Sequence, residues 1–242
     1  MNDTTNNRVQ EFEENGYVII RGVVEPGLIR DLDRELSEMQ GKVESRQLRG
    51  MHLFEDEEKA RVVFNPYDYS PALRSIVGRD DLIELAKALI GGPVQLHHSK
   101  LMVKPAKRGT EQPWHQDFFY WQGKEQRQVA GFLCIDPSTK ENGCLQVIPG
   151  THKKGLREHH KEFHEITGER HWVCEVKDKE LQEIQYFEGE PGDMIFFSSM
   201  VLHASDPNKS ENSRRAVIFE YDLKDNLDPL PIAGPIPAVV WE

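Results

Sequence analysis

The apolar positions divide the chain into a helical first third and a strand-rich remainder. Val9 and Phe12 lie one helical turn apart, which predicts a short amphipathic helix from Val9 to Asn15, after a frayed stretch over residues 1–10. Gly16 ends it, and Tyr17-Val18-Ile19-Ile20 reads as a strand. Glu25-Pro26-Gly27 opens a second helix on which Leu28, Ile29, Leu32, Leu36 and Met39 share one face, with Gly41 closing it. Residues 42–80 read as charged and irregular, with Glu55-Asp56-Glu57-Glu58 a solvated face. Leu82 to Ile90 is a further helix, stopped by Gly91-Gly92-Pro93.

From Val94 the period changes. Val94 to Lys104 is a long strand, in which regular alternation sends the neighbours His97 and His98 to opposite sides. Val129 to Ile135 and Cys144 to Ile148 are apolar runs joined by a turn ending in Asn142-Gly143, where a hairpin needs positive φ. Residues 151–183 are polar and carry five histidines, and read as an excursion over one end of the barrel. Within it His160 and His164 stand at i, i+4 and would share a face of a helix, without a third ligand at clear spacing. Ile184 to Phe187, Met194 to Phe197 and Arg214 to Tyr221 are the remaining strands. His203 reads as part of a polar loop, and the proline-rich Asp228 to Pro237 as surface coil. Many short strands, with helices gathered in the first 90 residues, predict a mainly β protein: a barrel or sandwich with helices packed outside.

The 242 residues suit a single domain, and 38% hydrophobic content can fill its core. The charge balance, 30 basic against 41 acidic residues, leaves −11, which argues against nucleic acid and anionic membranes as partners. Three cysteines without a CxxC spacing predict no disulfide framework and a reducing, cytoplasmic setting. No secretory h-region opens the sequence, and no apolar run approaches a membrane span.

The chemistry centres on Pro113-Trp114-His115-Gln116-Asp117-Phe118-Phe119. In extended chain His115 and Asp117 share a face and Gln116 lies opposite. An imidazole and a carboxylate side by side are two ligands for a divalent metal, and a 2-His-1-carboxylate site needs one more histidine. His203, 86 residues after Asp117, is the best third ligand, because strands distant in sequence meet at a barrel mouth. Eleven residues further on, a guanidinium would suit an anionic cosubstrate, since its planar fork matches a carboxylate. Spacing alone does not choose between Arg214 and its neighbour Arg215.

Trp114-His115-Gln116-Asp117, Asn142-Gly143-Cys144 through Pro149-Gly150-Thr151-His152, Gly192-Asp193, His203-Ala204-Ser205 and Arg214 occur in that order. The opening Asn15-Gly16-Tyr17-Val18-Ile19-Ile20-Arg21-Gly22 completes a pattern that resembles the phytanoyl-CoA dioxygenase family, over roughly residues 9–224. The resemblance implies a double-stranded β-helix (jelly-roll, cupin-like) core over about 94–224. Helical support would span about 9–90, and a tail 225–242. It implies Fe(II) held by His115, Asp117 and His203, with 2-oxoglutarate and O2 as cosubstrates. It gives Arg214 the distal carboxylate of 2-oxoglutarate, Ser205 a helper hydroxyl, and Lys100 and Phe132 places lining the cosubstrate site. Lys100 departs from a more usual neutral residue and could instead meet an acidic substrate.

The activity so implied is hydroxylation of an unactivated C–H bond of a small molecule, with release of succinate and CO2. Desaturation and ring closure remain open alternatives. Halogenation does not, because Asp117 fills the position a halide would need. A non-catalytic ligand-binding barrel is the reading from another class, and an intact triad with Arg214 counts against it. Trp114, Phe118, Phe119, Tyr120 and Trp121 would supply a dry wall, or simply core. The substrate pocket would draw on residues 42–80, 118–128 and 153–183. No clear basic approach for an acyl-CoA is visible, so a free amino acid or other small acid fits at least as well.

Overall fold

In the computed structural model, residues 3–48, 52–54, 58–120, 123–164, 169–226 and 239–241 are described. Trp121, most of the Glu55–Glu58 run and the Asp228–Pro237 tail lie outside them. Helix α1 (Asp3–Asn15) leads into strand β1 (Tyr17–Ile20) and helix α2 (Pro26–Glu44). Helix α1 starts six residues before the amphipathic pattern does, and α2 runs through Gly41 to Glu44. The segment read as irregular holds β2 (His52–Phe54), β3 (Ala60–Phe64) and α3 (Pro71–Val77). Pro71 sits in the first turn of α3, and the Ser70 hydroxyl caps it by accepting from Leu73 N–H. Next come α4 (Asp80–Ile90), β4 (Val94–Lys104), β5 (Gln112–His115), β6 (Val129–Cys134) and β7 (Leu145–Ile148).

The histidine-rich segment is not structureless. It forms an antiparallel hairpin, β8 (His160–His164) with β9 (Glu169–Val173), followed by the single turn α5 (Asp178–Leu181). His160 and His164 are therefore on a strand, and the shared helical face is not formed. Strands β10 (Gln185–Phe187), β11 (Met194–Ser198), β12 (Leu202–Ser205), β13 (Arg214–Leu223) and β14 (Val240–Trp241) complete the order. His203 belongs to β12 rather than to a loop.

Two sheets face each other. The larger runs β1-β11-β6-β13-β4-β3-β2, with β14 also on β4, and the smaller runs β10-β7-β12-β5. The antiparallel, crossing order is that of a jelly roll. Alternation along each strand divides the apolar residues between two cores. Ala130, Phe132, Cys134 and Ala216 point between the sheets toward Leu145, Val147 and Phe187. Val129, Leu133, Val217, Phe219 and Tyr221 point the other way, under Leu32, Leu36, Leu73 and Leu82 of the helices. The same alternation settles the two arginines. Arg214 goes inward with Ala216 and is buried, whereas Arg215 goes outward and pairs with Asp136 and Asp33.

Strand β4 breaks the rule at one place. Val94 and Leu96 lie in the helix-facing core, and so do Leu101 and Val103, which requires a change of parity between them. The register supplies it, with Glu220 opposite His98 and Tyr221 opposite Leu96. The extra residue is a β-bulge. His97 and His98 consequently lie together and buried, their Nδ1 atoms 2.6 Å apart, and do not face opposite sides.

Gly131 shows how tightly the larger sheet is packed. A Cβ there would lie 2.5 Å from Phe219 Cε2 and 3.1 Å from Phe196 Cε1. Gly131→Ala is expected to destabilise the fold by about 1–3 kcal/mol, read as a lower urea midpoint at unchanged slope. The three cysteines are buried and free. No helix among the described residues is long and apolar enough to cross a membrane.

Candidate active site

Strands β5 and β12 pair in the smaller sheet with His115 directly opposite His203. Their rings stand 4.1 Å apart between centroids. The chain leaves β5 through Gln116 into a single 3-10 turn that begins at Asp117, and this bend swings the carboxylate under both imidazoles. Gln116 faces away, as alternation requires. Its amide donates to the Met200 and Gly155 carbonyls and its oxygen accepts from Arg157 N–H, so it fixes the bend from behind.

His115 Nε2 lies 3.5 Å from Asp117 Oδ1, and His203 Nε2 lies 3.5 Å from Asp117 Oδ2. One donor atom from each residue falls within 4.8 Å of the others, and all three side chains are buried. The ring orientation is fixed behind them. His115 Nδ1 is 2.7 Å from the Pro113 carbonyl and His203 Nδ1 is 3.0 Å from the Val201 carbonyl. A carbonyl oxygen only accepts, so each Nδ1 carries the proton and each Nε2 presents a lone pair.

The protonation states agree. Burial pushes the His203 imidazole down to about 4, with His115 adding to the effect, so it is neutral at physiological pH. Burial opposes ionisation of Asp117, but His203, His115 and Lys100 outweigh it and hold the carboxyl below the usual range. Two imidazoles and one carboxylate with a common focus are a fitting donor set for Fe(II).

A cavity of about 350 Å3 opens from this focus. Arg214, Ser205, Lys100 and Phe132 all line it, together with Leu145, Phe197 and Ile218. Arg214 is buried, donates from Nη2 to the Gly143 carbonyl and lies 5.6 Å from the centroid of the Phe132 ring. Its Nε has no hydrogen-bond partner among the described residues, which leaves a donor for an incoming anion. Burial lowers its guanidinium to about 10, so it stays charged at neutral pH. Gly143 has φ +76°, and a Cβ there would collide with the Asp206 carbonyl, so the turn that receives Arg214 needs glycine.

The aromatic set divides between wall and core, with most of it in the core. Of Trp114, Phe118, Phe119 and Tyr120, only Tyr120 lines the cavity. Phe119 stacks on His159 at 4.2 Å, and Trp114 packs against the small cluster of Ile148, Cys174 and Leu202. The wall is completed by Phe64 of β3, Phe197 of β11 and Trp172 of β9. Arg61 and His171 also reach the cavity, with Arg61 Nη1 3.5 Å from His171 Nε2. Both lie in the segments 42–80 and 153–183 that the sequence assigns to the substrate pocket, although the sequence singles out neither residue there.

A jelly roll with two histidines and an aspartate converging beside an arginine-lined cavity is the arrangement of the non-haem iron, 2-oxoglutarate-dependent dioxygenases. The chain belongs to the phytanoyl-CoA dioxygenase (PhyH) family, whose model matches residues 12–216. It is 28% identical over 235 residues to a probable phytanoyl-CoA dioxygenase of Caenorhabditis elegans, covering 88% of this chain and 74% of the relative. It is 27% identical over 225 residues to the L-proline trans-4-hydroxylase of Streptomyces griseoviridis, covering 84% and 83%. Its fold is similar to the crystal structure of EctD from S. alaskensis with 2-oxoglutarate and 5-hydroxyectoine. The TM-score is 0.78 at 22% identity, over 97% of this chain and 84% of the other.

Proposed function

We propose that the chain works as one oxygenase domain that hydroxylates a small molecule. His115, Asp117 and His203 hold Fe(II), and Arg214 holds the distal carboxylate of 2-oxoglutarate. When bound, the iron lets O2 oxidise 2-oxoglutarate to succinate and CO2, with the second oxygen atom entering a C–H bond of the substrate. The protein's own part is to bind, orient and exclude water. The carbonyls of Pro113 and Val201 keep both Nε2 lone pairs on the metal side. Arg214 and Ser205 line the cavity and would meet the cosubstrate there, with the Phe132 ring beside Arg214. Tyr120, Trp172 and Phe64 would keep bulk water from the reacting bond.

The observation that carries this reading is the common focus of the three donor atoms, with Arg214 on the same cavity. Relatives named as an L-proline hydroxylase and an ectoine dioxygenase support a small polar substrate. The test is turnover of 2-oxoglutarate by iron-loaded protein across a library of small metabolites, followed by mass spectrometry. Hydroxylation adds one oxygen to the consumed compound with one succinate formed per product. A product lighter by two hydrogens would move the assignment to desaturation or ring closure.

A further inference from the structure

Asp117 owes its place to the bend that follows β5, and that bend is held from the outer edge of the sheet. Strand β5 is the last strand of the smaller sheet, with β12 on one side only. Its other edge is closed by the segment 155–174. Cys174 N–H donates to the Trp114 carbonyl at 2.9 Å, as a neighbouring strand would. Two residues on, where a ladder would next supply a carbonyl, Gln116 N–H donates instead to His159 Nε2 at 3.1 Å. Gln116 is fully buried and stands between the two ligands His115 and Asp117, so its N–H has no route to water.

His159 is itself fixed in place. Its Nδ1 lies 3.0 Å from the Arg157 carbonyl, which only accepts. Nδ1 therefore carries the proton, and Nε2 keeps the lone pair that Gln116 uses. The ring stacks on Phe119, 4.2 Å between centroids and 16° from parallel. Phe119 closes the same 3-10 turn that begins at Asp117. One imidazole thus holds the chain just before Asp117 through a hydrogen bond, and two residues after it through a ring face.

The segment that carries His159 is anchored by an ion pair. Arg157 places Nη1 2.9 Å from Glu180 Oε2 and Nη2 2.5 Å from Oε1, and Nη1 also donates to the Glu175 carbonyl. Glu180 is buried, so this paired contact is firmer than an exposed one. Arg157 N–H meanwhile donates to the Gln116 side-chain oxygen. An apolar side chain in place of His159 could fill the space beside Phe119, but only an acceptor satisfies Gln116 N–H. Without one, a buried donor is left that the bend must turn to satisfy. Turning it moves Asp117, whose two oxygens each stand 3.5 Å from one ligand imidazole.

We propose that His159 is a positioning residue for the metal: by accepting the Gln116 N–H it sets the turn on which Asp117 meets His115 and His203, with Arg157 and Glu180 anchoring it. The inference rests on the oxygenase reading and deepens it. It gives the histidine-rich segment a role without a second set of ligands, because His159 acts through the chain between two ligands and is not one itself. Groups that orient metal-bound side chains in this way set affinity as well as geometry.

The test titrates metal-free protein with Fe(II) under argon against a competing chelator, with Co(II) as a spectroscopic probe of the same ligands. His159→Phe keeps the bulk and the stack on Phe119 but removes the acceptor, and should raise the Fe(II) Kd by about 10- to 100-fold. His159→Gln carries an amide oxygen to the place of Nε2 and should recover most of the wild-type affinity. The visible bands of bound Co(II) should shift in His159→Phe and return in His159→Gln. Far-UV circular dichroism and the thermal midpoint of each metal-free variant report the fold separately. Should the phenylalanine variant not fold, His159→Asn repeats the comparison, because its shorter amide does not reach Gln116. It should bind Fe(II) as weakly as expected for His159→Phe. A wild-type Kd and Co(II) spectrum in His159→Phe overturns the proposal, whatever that variant's stability, and so does equal affinity in His159→Asn and His159→Gln. Absence of a tight Fe(II) site in the wild type would instead sink the oxygenase reading.

Discussion

Iron-replete His203→Ala is expected to form no more than about one-hundredth of the wild-type succinate, with His115→Ala the same. Removing a group that merely orients a metal-bound histidine already costs about 10- to 100-fold, and here a ligand itself is lost. The fold should persist, because His203 keeps its place in β12 through backbone pairing with both β5 and β7. Far-UV circular dichroism and the thermal midpoint check that separately from activity. The direction is set by geometry: Asp117 spans the two imidazoles, one carboxylate oxygen 3.5 Å from each Nε2. With either ring gone, two donors remain where the open face needs three. Wild-type turnover in either variant would remove the triad as the catalytic centre.

Arg214→Ala is expected to weaken 2-oxoglutarate binding by about 2–4 kcal/mol, roughly 30- to 1000-fold in Kd. The side chain is buried between the sheets with one guanidinium nitrogen on the Gly143 carbonyl and another without a partner among the described residues. A carboxylate arriving there meets a desolvated, fixed cation, so the contact is stronger than a surface pair. Arg215→Ala makes the control. Its guanidinium grips Asp136 and Asp33 on the outer face, so its loss should reduce stability by about 1 kcal/mol and leave the Kd nearly unchanged. Calorimetric titration of both variants ranks them. The opposite order would mean that the inward face of β13 has been misassigned.

Both predictions follow from residues legible in the sequence. His115 and Asp117 could be placed on one face because alternation and a short bend both bring them together. Arg214 could be proposed from the family pattern, although alternation needed the neighbouring strands to separate it from Arg215. What stayed hidden has a common physical cause. The bulge at His97 and His98 arises from unequal residue counts in two paired strands, which one strand's sequence does not contain. Strands β8 and β9 are hydrogen-bonded to each other in their own hairpin, so charged residues such as Lys161 and Glu162 interrupt the apolar alternation that marks a strand. His203 reads as loop because Ser205, Asp206, Pro207 and Asn208 follow it, yet its backbone is held by β5 and β7 far away in sequence. The same holds for α3: Ser70-Pro71 is a helix start that the charged surroundings obscure.

We propose one Fe(II) per chain, held by His115, Asp117 and His203 together. Its most direct test is equilibrium titration of metal-free protein with Fe(II) under argon against a competing chelator, with bound iron counted per chain. One tight site is expected in the wild type and in Arg214→Ala, and none in Asp117→Ala or His203→Ala. A tight site that survives in those two triad variants would contradict it.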